Sequence, residues 1–332
     1  MNQKVNHLLK TETRGIQMDS RKVTVNGQKI FLLLLVLLIS LTGSFLVNGL
    51  FALLSFFLAL LVLYHLIIRE MFAGPKTRSP ALDDKDYTIV KEDNNGIDIY
   101  GYIRYQDKKS DLVVFLHGWM SSSERFLERM KLFHDHGFHT LAHDMRGHGI
   151  APETYEWTAG KVINDLMFLL EKVDKKRVNK VHFYGHSLGG YVAIGMHNYR
   201  HNGWWKEAYG TMILESPMSA YSPILKEMSG KLSFLGPILK IWALNGFRKI
   251  HPDYGKIEWK EVDVPYWALP KCPILLLQSA DDQRLGRYHY DLLMEQPIDV
   301  EAHLIESLPH SRNRVNSERD GLIVDWIQRK MS

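Results

Sequence analysis

The sequence predicts an α/β fold built on a mostly parallel sheet, with an antiparallel amino-terminal hairpin and helices on both faces. Three observations predict it: short apolar runs alternate with helical segments, one early pair of runs flanks an Asn-Gly turn, and about 250 of the 332 residues remain for one domain once an apolar head is set aside.

Tyr87–Lys91 and Ile97–Tyr105 alternate in polarity around Glu92-Asp93-Asn94-Asn95-Gly96, a hairpin signal because Asn-Gly tolerates the positive φ of a tight turn. Leu112–His117, Thr140–His143, Lys180–Tyr184, Thr211–Leu214, Ile274–Gln278 and Glu301–Ile305 read as strands, and Glu124–His136, Thr158–Val173, Gly189–His201 and Ser317–Lys330 as the helices among them. Between Glu215 and Cys272 the alternation breaks for longer than an ordinary connection allows. Residues 216–272, which carry an apolar set including Met218, Met228, Leu235, Ile238, Trp242, Phe247 and Trp267, therefore read as a helical cap insert. Pro223 and Pro237 stand where its helices could begin, and Gly246 where one could end.

Ahead of the domain at 86–332 lie a basic polar tail (1–29), a stretch free of Asp, Glu, Lys, Arg and Pro (30–68) and a polar linker (69–85). As one helix the apolar stretch is roughly 58 Å long, against a hydrocarbon core of about 30 Å. Two spans of about 18 residues, turning near Asn48-Gly49 or Thr42-Gly43-Ser44, fit better, so a transmembrane hairpin is expected. Arg21, Lys22 and Lys29 flank it on one side and Arg69, Lys76 and Arg78 on the other. The positive-inside rule then keeps both flanks and the domain cytoplasmic, with membrane lipids as partners of the segment. One span plus an interfacial segment, with the domain outside, is the competing topology.

The sharpest motif is Gly185-His186-Ser187-Leu188-Gly189, placed between a strand and a helix. A serine on so tight a turn is lifted out of the sheet, and glycines beside it let neighbouring backbone pass close. Ser187 is thus the candidate nucleophile. His117-Gly118-Trp119-Met120, at the end of an earlier strand, reads as an oxyanion loop, and the backbone N–H groups of Trp119 and Leu188 as the two oxyanion donors, each worth roughly 3 kcal/mol of barrier. Downstream, His310 follows a strand and a turn and suits a general base. The carboxylate that orients it comes from Ser279-Ala280-Asp281-Asp282; spacing alone does not separate Asp281 from Asp282, and Glu215 is a weaker rival. Asp144 and His148, in the glycine-bearing turn Asp144-Met145-Arg146-Gly147-His148-Gly149, read as loop braces.

On these motifs, with Gly190 following the serine turn, the chain resembles the α/β-hydrolase superfamily from about Asp84 to its carboxyl terminus. Within it the chain looks most like the branch of monoacylglycerol lipases, esterases and serine aminopeptidases. The resemblance implies the α/β-hydrolase fold and a triad of Ser187, Asp282 and His310, with Asp282 favoured because the family places its acid three residues beyond the small residue at Ser279. Three positions depart from the family pattern: Ser279 replaces a glycine, Ile150 a serine, and His310 lacks a preceding glycine.

The expectation is a membrane-anchored serine hydrolase that cleaves an ester or thioester with an apolar acyl part. A serine peptidase or acyltransferase, or a non-catalytic membrane sensor or scaffold, are the alternatives. Serine at the turn argues against dehalogenase and epoxide hydrolase chemistry, which need a carboxylate nucleophile. Cys272 is the sole cysteine, so no internal disulfide forms. The net charge of +4 does not suggest nucleic acid, and neither metal-ligand spacing nor a phosphate-binding glycine loop appears, so no metal or cofactor is expected.

Overall fold

The computed structural model describes residues 34–35, 37–38, 40–43, 49–154, 156–311 and 313–331. Two compact units divide the chain: Met1–Lys76 with Thr154–Trp157 and Pro237–Gly255, and Thr77–Glu153 with Thr158–Gly236 and Lys256–Ser332.

The second unit holds the sheet, whose described strands are β1 (Thr88–Asp93), β2 (Asp98–Arg104), β3 (Ser110–Leu116), β4 (His139–Asp144), β5 (Val178–His186), β6 (Tyr209–Glu215), β7 (Ile274–Ser279) and β8 (Val300–Ile305). Their order is β1-β2-β4-β3-β5-β6-β7-β8. β1 and β2 form the expected antiparallel hairpin and β2 also runs antiparallel to β4, while every pairing from β4 through β8 is parallel. The central strands are near-continuous apolar runs because both faces are covered: Leu112 to Leu116 and Ile274 to Leu277 are wholly buried. Parallel register also brings the carboxyl ends of β3, β5, β6 and β7 to one edge, with Leu116 opposite Gly185, His186 opposite Glu215 and Glu215 opposite Leu277. Open α/β sheets bind ligands at that edge.

The helices, in chain order, are α1 (Gly49–Met71), α2 (Leu127–Asp135), α3 (Ala159–Leu170), α4 (Leu188–Gly195), α5 (Ser222–Ser229), α6 (Gly236–Ile250), α7 (Tyr288–Met294) and α8 (Ser317–Lys330). Thr158 caps α3 by accepting the Lys161 N–H, and Asn316 caps α8 by accepting that of Arg319. α4 stops at Gly195 rather than reaching His201. There Asn198 offers the backbone other partners, since its side chain accepts the Arg200 N–H and donates to the Trp267 carbonyl. α7, only seven residues long, carries too little periodicity to be read from sequence.

The expected single cap is divided. Residues 216–236 and 256–272 belong to the sheet-bearing unit, where Asp263 accepts the N–H groups of Tyr221 and Ser222 and Trp267 stacks on Tyr191 of α4 with ring centroids 4.5 Å apart. Residues 237–255 belong instead with α1. Gly246 does not end a helix; it lies inside α6, where an added Cβ would come within 2.5 Å of the Phe72 ring. Its lack of a side chain serves this close approach, beside which Tyr64 and Trp242 meet edge to face at 5.2 Å. α1 itself runs to Met71, three residues into the expected linker, with Arg69 in its last turn where a cation suits the helix dipole.

Among the described residues one helical segment, Leu53–Met71, is long and apolar enough to cross a membrane. Leu53, Leu54, Phe57, Leu58 and Leu61 on it are exposed. Residues 40–43 are helical too, so Thr42 and Gly43 of one expected turn lie in helix and Gly49 of the other opens α1, while the basic tail and residues 44–48, with Ser44 and Asn48, lie outside the described residues.

Histidine is a recurrent buried residue of the larger unit. Burial pushes His117, His186, His197, His201 and His289 down to about 4. These imidazoles are neutral in the folded chain but titrate near 6.5 once unfolded, so the unfolded chain binds more protons between about pH 6.5 and 4 and stability falls with pH across that window. Urea midpoints are expected to drop steadily from pH 7 to pH 5. A midpoint unchanged over that range would contradict the neutral, buried state of these rings.

Candidate active site

β5 delivers Ser187 to the sheet edge with φ 53° and ψ −120°, a left-handed conformation that an L-residue adopts only under constraint. The constraint is visible in the glycines. A Cβ on Gly185 would come within 2.6 Å of the Gly189 carbonyl oxygen, and one on Gly189 within 1.8 Å of the Leu116 carbonyl oxygen at the end of β3. The Ser187 N–H donates to the Glu215 carbonyl at 3.1 Å, and its own carbonyl accepts the N–H groups of Gly190 and Met218 at 2.9 Å each. The turn is thus pinned to β3, β6 and α4.

His310 joins it from the loop after β8. Its Nε2 lies 3.1 Å from Ser187 Oγ and its Nδ1 2.8 Å from Asp282 Oδ2. With the carboxylate as acceptor, Nδ1 carries the proton and Nε2 is left to accept from the serine hydroxyl. Asp282 is fixed in turn: Oδ1 accepts the N–H groups of Arg284 and Leu285 at 2.9 Å, and Oδ2 also accepts Gln278 Nε2 at 3.1 Å. Burial alone would raise this carboxyl, but the hydrogen bonds from His310, Leu285 and Arg284 outweigh it and hold it below the usual carboxylate range. Asp281 is exposed and bonded to Gln283, so the adjacent acids have separate environments. Glu215 is fully buried at the end of β6 and makes no bond to His310 Nδ1; its side-chain partners are Arg129, Arg319, Tyr184 and Asn313.

Leu188 is the first residue of α4, whose leading N–H groups have no partner within the helix. Trp119 lies in the turn after β3, next to Gly118, where a Cβ would come within 3.1 Å of Ser187 Cβ. Both expected oxyanion donors therefore flank the serine turn. His117, His148 and Asp144 brace this region. His117 Nε2 accepts the Met145 N–H at 3.1 Å and Nδ1 donates to the Gly118 carbonyl at 2.8 Å; Asp144 accepts the N–H groups of Ser123 and Ile150; and His148 Nδ1 donates to the Arg146 carbonyl.

Two contributors carry no assignment from sequence. His186 Nε2 donates to the His310 carbonyl at 2.8 Å, and Gln278 supports Asp282. The signal for Gln278 was available, a polar residue closing the apolar run of β7. His186 was hidden inside the motif that drew attention to Ser187. Among the described residues no group of three His, Cys, Asp or Glu is arranged to hold a metal ion.

The sheet order and this edge define a member of the α/β-hydrolase superfamily. The chain belongs to the family described as serine aminopeptidase, S33, which it matches over residues 107–302, a span that includes Ser187 and Asp282 and stops short of His310. Solved structures share the fold: an esterase from Pyrococcus furiosus (TM-score 0.56, 19% identity, 79% of this chain and 98% of that one) and α/β hydrolase domain-containing protein 10 from mouse (0.52, 14%, 73% and 97%). Curated relatives match over shorter stretches. A non-heme chloroperoxidase of Kitasatospora aureofaciens is 34% identical over 24% of this chain, and a bifunctional esterase/perhydrolase of Acinetobacter calcoaceticus 31% identical over 31% of it. The chain spans about a third of the length of these relatives, 28% and 36% respectively.

The glycine contacts predict opposite outcomes for one substitution. Gly189→Ala drives a methyl into backbone and is expected to cost at least about 1–3 kcal/mol. Gly321→Ala, in α8 with nothing within 4 Å, is expected to gain about 0.5–1 kcal/mol from helix propensity. Urea denaturation of the two variants beside the parent protein checks both signs.

Proposed function

We propose that this chain is a membrane-anchored serine hydrolase that cleaves carboxylic ester or thioester bonds of substrates with an apolar acyl part. The observation that carries the reading is the continuous hydrogen-bond chain from Ser187 Oγ through His310 to Asp282, at 3.1 and 2.8 Å. Ser187 Oγ attacks the acyl carbon as its proton passes to His310 Nε2, and Asp282, kept ionised, steadies the imidazolium. The carbonyl oxygen takes up the negative charge facing the N–H groups of Leu188 and Trp119. Collapse expels the alcohol or thiol, which takes the proton from His310, and leaves an acyl-enzyme that water then cleaves by the same steps in reverse. Exposed Trp119 and Met120, beside the serine turn, offer apolar surface to an acyl chain.

Peptide hydrolysis is the second reading, favoured by the description of the family as serine aminopeptidase. An acyl-enzyme whose acyl group passes to an alcohol or amine instead of water makes the same residues an acyltransferase. α1, with its row of exposed leucines and phenylalanines, supports the membrane part of the proposal, and basic residues on both flanks of the apolar stretch favour a hairpin with a cytoplasmic domain.

A fluorophosphonate probe is expected to label the purified protein, and Ser187→Ala to abolish labelling; undiminished labelling of the variant overturns the assignment. Asp282→Asn is expected to lower turnover of p-nitrophenyl butyrate by about 10⁴-fold, with Asp281→Asn near the parent rate. Faster turnover of aminoacyl anilides than of p-nitrophenyl esters would replace the esterase reading with the peptidase one. For topology, protease added to sealed right-side-out vesicles is expected to leave the domain intact, whereas digestion from outside favours the single-span arrangement.

A further inference from the structure

Behind the serine turn lies a buried charged cluster that the proposed reaction does not use. Glu215 and Arg319 are fully buried and Arg129 nearly so. Arg129 Nη1 lies 3.4 Å from Glu215 Oε2 and Arg319 Nη1 3.7 Å from Glu215 Oε1. The Tyr184 hydroxyl and the Asn313 amide also donate to the Glu215 carboxylate. Burial alone would raise the Glu215 carboxyl, yet the two guanidinium groups outweigh it and keep it below its ordinary range. A cluster of this kind brings little net stability, because desolvation of each charge offsets most of the attraction. What it supplies is direction.

The direction is toward the loop that carries His310. Arg129 Nη2 donates to the Asn313 carbonyl at 2.8 Å and to its side-chain oxygen at 3.1 Å, and Arg319 Nη1 donates to the same carbonyl at 2.6 Å. Arg319 Nη2 also donates to the Arg314 carbonyl at 3.2 Å. The loop is thus gripped three and four residues beyond His310, while His186 Nε2 holds the His310 carbonyl itself. On its other side Glu215 accepts the Ser187 N–H through its main-chain oxygen. One residue therefore bonds Ser187 through its backbone and, through its side chain, Asn313 on the loop that carries His310 to its 3.1 Å contact with the serine.

We infer that Glu215, with Arg129, Arg319 and Asn313, forms a positioning centre that sets the distance between the Ser187 hydroxyl and His310. The inference rests on the proposed roles of Ser187 and His310. None of the four is assigned a contact with substrate; they act through the Ser187 backbone and through Asn313 and Arg314 on the loop beyond His310. The planar fork of Arg129 joins Asn313, through Nη2, to Glu215, through Nη1, and a lysine ammonium keeps the charge without that fork.

Two variants separate positioning from mere stability. Arg129→Lys keeps the buried charge, and Asn313→Ala leaves Glu215 facing both arginines while removing its amide donor. Each is compared with the parent full-length protein at matched near-ultraviolet circular dichroism, so that only folded enzyme is counted. Arg129→Lys is expected to lower kcat for p-nitrophenyl butyrate by about 100-fold, the scale of a misplacement near 1 Å, with KM within about twofold. Asn313→Ala is expected to lose about tenfold in kcat. The rate of fluorophosphonate labelling should fall in parallel in both. Folded variants with the parent kcat, or with a raised KM and unchanged kcat, overturn the positioning role. Failure of the parent protein itself to label overturns the proposed roles of Ser187 and His310 instead.

Discussion

The approach of α4 to the end of β3 is the constraint on which the active-site edge depends. Gly189 packs so tightly on the Leu116 carbonyl that only a hydrogen fits between them. That approach forces the chain to reverse within one residue after β5, which drives Ser187 to positive φ and turns its hydroxyl toward His310. Gly118 also packs closely, where a Cβ would come within 3.1 Å of Ser187 Cβ and of the His186 ring, and this brings the adjacent Trp119 beside the serine turn. Local strain at Ser187 is tolerable because three backbone hydrogen bonds and a rigid sheet surround it.

Much of this was legible in the sequence, for identifiable reasons. Every strand of the sheet was expected close to its observed place, because apolar runs bounded by polar turns survive burial on both faces without ambiguity. That Ser187, His310 and Asp282 would meet was legible through chain order and through motifs whose glycines report a steric need. Choosing Asp282 over Asp281 needed a family pattern, since adjacent loop residues look alike until the fold turns one of them inward. Glu215 was read as a rival acid; its carboxylate faces a pair of arginines remote in sequence, and no local pattern could announce them. Gly246 misled for a similar reason, because a glycine that ends a helix and one that admits a neighbouring ring are the same letter.

The segment between β6 and β7 shows where reading by segments fails. As sequence it is one apolar insert, and in the structure it is shared between two compact units. Met218 and Trp267 are core residues of the sheet-bearing unit. α6, by contrast, packs with α1 through Gly246, Trp242 and Lys249, whose ammonium sits 5.7 Å from the centre of the Tyr64 ring.

The pairing of α1 with α6 has a consequence for the order in which the chain can assemble. In the sequence β1 through β6 lie between the two helices, so the ribosome releases α1 long before α6 exists. Closing so long a loop carries an entropic cost that is repaid only once both helices are present. Until then Tyr64, Ile68 and Phe72 must find other company, whether lipid, a chaperone or solvent. α1 is made before the strands from β1 to β6 and meets its partner only after them.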